Sequence, residues 1–294
     1  MAERKKKRGD RRDGFWVRDV TGLQTIMSNL MPNRTDCEVY LNYKLDATEL
    51  VRYLEEKNAG ERDFKLTLFH CIITGLARMV RERPKMNRFI QGRRMYERFD
   101  ISLAFVAKRR FTDHAEETLM FMVPEDTDTV EEIGRRIYGD VQEARKSEHS
   151  TGGVDALIDT LAKLPRPLLM FVVWFIRMMD FWGVNPEGIT AGDPNYASIF
   201  CSNLGSIKCP AVYHHLNNYG TNSFMLTIGV LHKEPHVMPD GSVEVRDMIE
   251  IGATLDERIA DGFYFAKSLR LIEHIFAHPE LLDKPLNEPS GFEY

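Results

Sequence analysis

The sequence predicts an α+β fold in which a mixed β-sheet is flanked by helices. Strand-like and helix-like segments are interleaved over 294 residues without a regular β-α-β alternation, which disfavours a doubly wound parallel sheet. No glycine-rich phosphate loop occurs, which argues against a nucleotide-binding domain. Hydrophobic residues make up 43% of the chain, enough to fill the core of one large domain.

Periodicity defines the elements of the first half of the chain. Strands alternate apolar and polar residues, whereas helices repeat apolar residues at i, i+3 and i+4 and are bounded by capping residues, Gly or Pro. By these criteria we predict a helix at residues 22–31, a strand at 37–45, a helix capped by Asp46, a helix at 65–83 that Pro84 ends, and two strands at 100–111 and 116–124.

The same criteria define the elements of the second half. Pro239, Asp240 and Gly241 form a turn signal, so we expect a hairpin at that point. The predicted elements are a helix at residues 129–147, an apolar helix at 168–182, a strand and turn at 196–207, a buried strand at 224–232, a strand at 243–254 and a last helix at 263–276.

Charge is distributed unevenly along the chain. The formal net charge is −5, yet the first twelve residues, MAERKKKRGDRR, contain seven Lys or Arg and two acidic residues. We expect residues 1–15 to form a disordered basic arm and residues 16–294 to form a single domain. The arm could contact a polyanion or an acidic partner protein. No apolar segment follows it, so it lacks the pattern of a signal peptide.

The segment LLMFVVWFIRMMDFW, residues 168–182, is apolar on nearly all sides of a helix. It is shorter than the ~20 residues that a membrane span requires, and Arg177 and Asp180 interrupt it, so we predict no transmembrane segment. We expect the helix to be buried in the body of the protein or against another subunit. Docking at a membrane interface is the alternative.

The four cysteines, Cys37, Cys71, Cys201 and Cys209, show neither a C-x-x-C pair nor a zinc-like spacing with histidine. The sequence therefore predicts no metal site. Unpaired cysteines in a chain of this length are typical of a reducing compartment, so we expect a cytoplasmic protein.

A candidate site lies at the junction of a strand and a helix, in the stretch ATLDERIADGFYFAKSL. Glu257, Arg258, Asp261 and Gly262 fall within a few residues of one another between two apolar elements. Functional side chains are concentrated at such junctions, because the elements on either side hold them rigidly. The density of polar residues therefore indicates a functional site.

Four segments of the chain, in order, resemble the acyltransferase subunit of 2-oxoacid dehydrogenase complexes. DERIADGFYFAKSL resembles the family's D-H-R-x-x-D-G signature, and its DGF is similar to that of chloramphenicol acetyltransferase, which shares the fold. The family's I-S-N-L-G turn is similar to FCSNLGSI, and its helix that ends in P-x-x-N is similar to CIITGLARMVRERPKMNRFI. The family's opening helix, strand and D-x-T-x-L cap resemble GLQTIMSNLMPNRTDCEVYLNYKLDATEL. The resemblance spans about residues 22–279, which is most of the chain.

The resemblance implies a chloramphenicol acetyltransferase-like fold assembled as a homotrimer, with active sites at the subunit interfaces. In the family a motif histidine takes the proton of the acceptor thiol, a motif aspartate orients the structure through an arginine pair, and a serine hydroxyl stabilises the oxyanion. The matching residues are Ser202 for the serine, Asp261 for the aspartate, Arg258 for the arginine and Gly262 for the glycine. Glu257 occupies the histidine position.

The resemblance also implies the substrates and further residues. Coenzyme A or acyl-CoA is the implied substrate, with a thiol, hydroxyl or amine as acceptor, and the trimer could build a larger assembly. Asn203, Phe263, His114 and His215 are expected around the substrate channel. No lipoyl attachment site is recognised, and residues 152–193, which contain the apolar helix, are interpreted as an insertion relative to the family.

Three hypotheses about Glu257 stay open. It could be a tuned general base, since a free carboxyl group has a pKa near ~4.3 against ~6.5 for imidazole and burial raises a carboxyl pKa. The site could instead be inactive and the protein a trimeric scaffold or partner-binding module. A histidine elsewhere could also supply the base, with His214, His215 and His114 as candidates.

Overall fold

The structure, a computed structural model, describes residues 5–108, 117–146 and 160–293. Its strands are β1 (Gly14–Trp16), β2 (Glu38–Asp46), β3 (Arg88–Gln91), β4 (Arg94–Arg98), β5 (Leu103–Lys108), β6 (Glu117–Met122), β7 (Ile199–Asn203), β8 (Phe224–Ile228), β9 (His232–Val237) and β10 (Val243–Asp256). Its helices are α1 (Gly22–Leu30), α2 (Thr48–Lys57), α3 (Leu68–Glu82), α4 (Val130–Lys146), α5 (Arg166–Trp182), α6 (Glu187–Thr190) and α7 (Gly262–Ala277).

The larger of two sheets is mixed, and β10 joins three of its strands. The strand order is β2–β10–β8–β7–β5–β6, and β9 forms a hairpin with the first half of β10. Strand β7 runs parallel to β5 and β8, whereas the other pairs are antiparallel. The predicted mixed sheet and the predicted hairpin are therefore confirmed.

Helices α2, α3, α4 and α7 pack against one face of this sheet. Alternate residues of β10, namely Ile249, Ile251, Ala253 and Leu255, belong to the same buried cluster as the apolar faces of these helices. Helix α3 lies at the centre of the core and is buried continuously from His70 to Val80. This layer positions the end of β10, where the motif begins.

An irregular segment of residues 208–217 crosses the opposite face of the sheet. A Cβ atom on Gly252 of β10 would lie 2.3 Å from the carbonyl oxygen of Val212, so only glycine permits this approach. Further along the segment, the Leu216 N–H donates to the carboxylate of Glu38 at the start of β2. The crossing segment thus links the turn after β7 to the strand end beside the motif.

A second sheet is antiparallel, in the order β1–β4–β3, and is not among the predicted elements. Its strands are only three to five residues long, and β3 and β4 begin with arginine, so alternation is weak. Gly92 and Arg93 form its hairpin turn with φ of +56° and +61°. The turn packs closely against α5, because a Cβ atom on Gly92 would lie 2.3 Å from the Phe181 carbonyl oxygen.

Helix α5 is anchored close to its C-terminal end. Asp180 is the buried residue of this helix, and its carboxylate accepts hydrogen bonds from the Arg11 guanidinium at 3.0 Å and the Gln91 amide at 2.6 Å. Trp174 and Trp182 are exposed. The body of the protomer therefore leaves most of the helix uncovered, and burial against another subunit or docking at a membrane interface stays a prediction. Within the described residues, no helix is long and apolar enough to cross a membrane.

The basic arm contacts the body through Arg11, which is 6% exposed and also donates to the Asp180 carbonyl oxygen at 2.6 Å. Residues 1–4 lie outside the described residues, so a disordered arm stays a prediction there, whereas Arg11 is buried and Gly14 and Phe15 belong to β1. At α2 the structure shifts a predicted cap by one residue. Ala47 occupies the N-cap position, while Asp46 accepts the Thr48 N–H at 2.9 Å.

We predict that Gly92→Ala displaces α5 from the small sheet. The added Cβ would meet the Phe181 carbonyl oxygen, which cannot move without shifting the helix. Gly60→Ala is the matched control, since Gly60 also has a positive φ, of +93°, but has open space around it. The control should lose about 1–2 kcal/mol of unfolding free energy in urea. Gly92→Ala should lose more and should speed trypsin cleavage at Arg177. Equal losses with unchanged cleavage would contradict the packing.

Candidate functional site

The end of β10 exposes Glu257 to solvent. The Glu257 N–H donates to the Cys37 carbonyl oxygen at 2.9 Å and so extends the β2–β10 ladder by one pair. Its carboxylate has neither a hydrogen bond nor an ion pair with any residue that the structure describes. Glu257, which the resemblance places at the position of the family histidine, is therefore held by its backbone and has an uncommitted side chain.

Arg258, the next residue, is buried and pairs with Asp256. Its Nε and Nη2 donate to the two oxygens of that carboxylate at 2.8 and 2.6 Å, and its Nη1 donates to the Met31 carbonyl oxygen at 2.7 Å. Burial alone would lower the pKa of Arg258, but the Asp256 carboxylate raises it above its ordinary value. Both residues lie in the turn that follows β10, where Glu257 is exposed and Arg258 is covered.

The resemblance implies an arginine pair for Asp261, and the structure corrects this expectation. Asp261 is exposed and caps α7, because its carboxylate accepts the Tyr264 N–H at 2.9 Å. Asp256, which the sequence analysis does not single out, is the partner of Arg258. The D-x-R spacing of Asp256 and Arg258 is a signal for this pair, but the sequence offers Asp261 as an equal alternative.

Gly262 and Phe263 extend the exposed part of the motif. A Cβ on Gly262 would meet nothing within 4 Å, and its φ is not positive, so neither packing nor turn geometry in the protomer requires glycine there. Phe263 is 70% exposed. Glu257, Asp261, Gly262 and Phe263, here called the motif surface, are therefore open to a ligand or to another chain.

Ser202, near the end of β7, lines a different cavity of about 640 Å³, here called the Ser202 cavity. Aromatic side chains of Phe69, Phe105 and Tyr138 form part of its wall. Lys65 and Arg145 are the charged residues in the lining, and no acidic residue of the described chain lines it. The Ser202 hydroxyl has no hydrogen-bond partner among the described residues, so it is available to a bound molecule.

Asn203 shapes the turn that follows Ser202. Its side-chain oxygen accepts the Ser206 N–H at 3.3 Å, and its carbonyl oxygen accepts the Ser206 hydroxyl at 2.7 Å. The turn also packs closely, since a Cβ on Gly205 would lie 2.6 Å from the Gly229 carbonyl oxygen. Asn203 therefore positions Ser202 at the cavity, and its own amide oxygen is occupied.

The sheet register separates Ser202 from the motif surface. Ser202 pairs with Thr227 of β8, and Thr227 pairs with Gly252 of β10, five residues before Glu257. Two strand spacings of ~4.8 Å and five residues at ~3.3 Å place Ser202 roughly 19 Å from Glu257. A base and an oxyanion donor must both reach the same reacting group, so these two residues of one protomer cannot share a site.

The histidines differ in what their rings can do. Nδ1 of His214 lies 2.9 Å from the His215 carbonyl oxygen, and Nδ1 of His215 lies 3.1 Å from that of Leu216. Because a carbonyl only accepts, Nδ1 carries the proton, and Nε2 of each exposed ring is left as a base. His114 lies outside the described residues.

His70 lines the Ser202 cavity but is not suited to act as a base. Its Nδ1 accepts the Thr67 N–H at 3.2 Å in the capping box of α3, which leaves the proton on Nε2. Burial lowers the pKa of His70 to about 4, so its imidazole is neutral near pH 7. Cys37 and Cys71 are equally inert, since burial raises the pKa of Cys37 to about 11 and that of Cys71 to about 12. No cluster of metal-ligating side chains is found in the part of the chain that the structure describes.

We predict that the two aspartates of the motif contribute very differently to stability. Asp256→Ala would leave the buried Arg258 without a counter-charge and should cost about 3–5 kcal/mol of unfolding free energy. Asp261→Ala removes a helix cap and should cost about 1 kcal/mol. Urea unfolding followed by far-UV circular dichroism measures both. A larger loss for Asp261→Ala than for Asp256→Ala would show that the pairing of Arg258 is misassigned.

Comparison with protein families points to acyltransferases. Residues 187–283, about a third of the chain, match the family model described as 2-oxoacid dehydrogenases acyltransferase (catalytic domain). A curated relative is the lipoamide acyltransferase component of the branched-chain alpha-keto acid dehydrogenase complex of Bacillus subtilis (strain 168), with 21% identity over 263 residues. The alignment covers 87% of this chain and 51% of the relative, so the chain spans about half of that protein's length.

Solved structures show the same fold. The probable dihydrolipoamide acetyltransferase from Listeria monocytogenes aligns with a TM-score of 0.60 at 18% identity, covering 93% of this chain and 96% of that one. The cubic core of the pyruvate dehydrogenase multienzyme complex gives 0.58 at 14% identity, covering 91% and 94%. A truncated 2-oxoacid dehydrogenase core from Thermoplasma acidophilum gives 0.55 at 15% identity, covering 90% and 98%. The predicted fold class is thus confirmed as that of acyltransferase cores, and the matched family segment contains both Ser202 and the motif surface.

Proposed function

We propose that this protein transfers an acyl group between coenzyme A and a thiol, hydroxyl or amine acceptor. The observation that carries the proposal is the Ser202 cavity, where an unbonded serine hydroxyl lines a space whose charged lining residues, Lys65 and Arg145, are both basic. A phosphorylated acyl carrier such as acyl-CoA suits this lining. The similarity to acyltransferase catalytic domains over residues 187–283 supports the same reaction class.

The Ser202 cavity would bind the acyl donor. Its aromatic walls accommodate the apolar part of an acyl-CoA, while Lys65 and Arg145 lie at exposed positions where they can bind phosphates. The Ser202 hydroxyl would donate a hydrogen bond to the oxyanion that forms when an acceptor attacks the thioester carbonyl. Removal of such a donor raises the free energy of the transition state more than that of the ground state.

A second copy of the chain would supply the base. Ser202 and Glu257 of one protomer are roughly 19 Å apart by strand geometry. In a homotrimer the motif surface of one copy can face the Ser202 cavity of the next, which suits its exposed Phe263 and the open space at Gly262. Desolvation makes a carboxylate more basic, and contact with a second copy would desolvate this surface. The similar solved cores belong to multienzyme complexes, so a larger assembly of trimers is part of this proposal.

The proton balance of the reaction is simple. Glu257 takes the proton of the acceptor, and the acceptor atom forms a bond to the thioester carbon. The tetrahedral intermediate collapses with loss of the coenzyme A thiolate, which receives the proton from Glu257. No metal, oxidant or reductant enters the balance. His215, whose Nε2 is free, is the alternative base if Glu257 is not used.

A partner-binding scaffold is the second candidate function. Helix α5 exposes an apolar surface, and Leu23 and Leu30 of α1 are each at least 70% exposed. Such patches mark surfaces that bind other molecules. In this alternative the fold is kept as a trimeric platform and Glu257 has no chemical role.

The cytoplasmic location and any contact of the basic arm with an acidic partner or polyanion also stay proposals.

We predict that Glu257→Gln lowers turnover roughly 10²–10⁴-fold with little change in the KM for acyl-CoA. Ser202→Ala should lower kcat on the order of 10²-fold. The assay is release of the coenzyme A thiol from acetyl-CoA with dihydrolipoamide as acceptor. Glu244→Gln, a change in the exposed hairpin far from both sites, is the control. Unchanged turnover in Glu257→Gln, with a loss in His215→Gln, would move the base to His215.

Mixed oligomers test the location of the site between copies. Glu257→Gln and Ser202→Ala chains, dissociated and reassembled together, should regain activity because some interfaces then combine both intact residues. Random assembly of a trimer from equal amounts restores about a quarter of the sites. Reassembly of either variant alone should restore none. A mixture as inactive as its components would contradict a shared site.

The variant Glu257→His distinguishes enzyme from scaffold. Activity of the unchanged protein with acetyl-CoA and dihydrolipoamide would establish a carboxylate base. If only Glu257→His were active, the channel would be intact and the chain would use a different acceptor or none. Inactivity of both, with intact trimers by light scattering, would favour the scaffold.

A further inference from the structure

A second large cavity lies beneath α5 and is separate from the Ser202 cavity. This α5 cavity has a volume of about 830 Å³, within the range of small-molecule sites. One wall is the helix itself. The other is formed by residues 32–34, by the hairpin turn at 91–93 and by residues 218–219, with Arg258 at the motif end.

The helix wall of the cavity is apolar and long. Leu169, Met170, Val173, Trp174 and Phe181 line it. From Leu169 to Phe181 the helix rises by roughly 18 Å, at about 1.5 Å per residue. An extended apolar chain could lie along this wall and would cover side chains that the protomer leaves exposed.

Three arginines of the lining have no ion pair with a residue that the structure describes. Arg34 and Arg93 lie on the opposite wall, and Arg177 lies on the helix wall itself. Arg258 is neutralised by Asp256 at 2.6 Å. Asp180, the acidic residue of the lining, pairs with Arg11 at 3.0 Å, and Arg11 also pairs with Asp13 at 2.8 Å.

Arg34 is the most informative of these arginines, because it is 3% exposed and bound only to neutral oxygens. It donates to the carbonyl oxygens of Asn217 at 2.8 Å and Ile90 at 3.0 Å and to the Gln91 side chain at 3.2 Å, and its Nε is buried without a partner. Burial lowers its pKa to about 10. The carboxylates of Asp256 and Asp180 act on the Arg34 guanidinium without contacting it, and an anion in the cavity would stabilise this buried charge directly.

We propose that the α5 cavity binds an amphipathic anion, namely a long alkyl chain that ends in a carboxylate. The alkyl chain lies along the Leu169–Phe181 wall, and the carboxylate lies near Arg34, Arg93 and Arg177. Arginine binds a carboxylate through two parallel hydrogen bonds, which fixes the orientation of the ligand. This inference stands independently of acyl transfer, because it uses neither Ser202 nor Glu257.

Tryptophan fluorescence tests the site directly. The chain has three tryptophans, and Trp174 is the one that lines the α5 cavity. In a Trp16→Phe, Trp182→Phe background, 11-bromoundecanoate should quench Trp174 saturably, because bromine quenches indole on contact. The neutral 11-bromoundecanol should bind at least roughly tenfold more weakly, since it lacks the charged hydrogen bonds. Equal binding of acid and alcohol would overturn the proposal.

Charge removal on the cavity wall provides the matched comparison. Arg93→Gln with Arg177→Gln should weaken binding of the acid roughly tenfold and leave that of the alcohol unchanged. Arg166→Gln, on the same helix but outside the lining, should change neither. Calorimetry of the unaltered protein with undecanoate and undecanol must show the same preference, which keeps the test independent of the tryptophan changes.

A membrane surface is the competing occupant, and vesicles distinguish it. In a Trp16→Phe, Trp174→Phe background, Trp182 reports on the exposed end of the helix. Phosphatidylglycerol vesicles with brominated chains should not quench Trp182 saturably. Saturable quenching of Trp182 by vesicles, without quenching of Trp174 by the free acid, would assign the helix to a lipid surface and overturn the cavity site.

Discussion

The buried ion pair between Asp256 and Arg258 holds together the end of the sheet on which the candidate site depends. Asp256 is the last residue of β10, the strand that pairs with β2, β8 and β9. Arg258 extends the pair to the Met31 carbonyl oxygen, just after α1. With Arg258 held on one side, the preceding Glu257 must face the other, and Asp261 is left free to cap α7. The motif thus stabilises this end of the sheet through the Asp256–Arg258 pair and leaves the Glu257 carboxylate exposed.

The sheet then determines what that carboxylate can reach. Parallel pairing of β7 with β8, and antiparallel pairing of β8 with β10, put Ser202 and Glu257 at different levels of one sheet. The crossing segment of residues 208–217 spans the interval and carries His214 and His215 with free Nε2 atoms. The two groups to which the proposal assigns the reaction, Ser202 and Glu257, are therefore both uncommitted in the protomer. In that proposal, assembly of several copies of the chain brings them together.

Sequence patterns anticipate the elements whose burial follows a single period. The α3 helix and the β10 strand are predicted because their apolar residues recur with one period, and the hairpin at Asp240 is predicted from its Pro-Asp-Gly turn signal. The small β1–β4–β3 sheet escapes prediction because its strands are only three to five residues long, and β3 and β4 begin with arginine, which weakens their alternation. The candidate site is harder to predict from the sequence than the fold. Ser202 and Glu257 can be identified by resemblance, but the distance between them depends on the order of the strands. The choice of Asp256 over Asp261 as the partner of Arg258 depends on which carboxylate is buried.

The buried arginines of this fold show why the cavity beneath α5 differs from ordinary packing. Arg258 and Arg11 are each buried against an aspartate, so their charges are balanced within the protein. Arg98 is buried and lies away from the α5 cavity. Its two Nη atoms donate hydrogen bonds to carbonyl and hydroxyl oxygens of the core, and only its Nε has no partner. Arg34 has neutral partners like Arg98, yet it lines a cavity that also contains two exposed arginines and an apolar wall. Neutral dipoles solvate a guanidinium without cancelling its field. That field extends into the cavity, where it favours an anion, and the apolar helix above it restricts that anion to one with a hydrophobic tail.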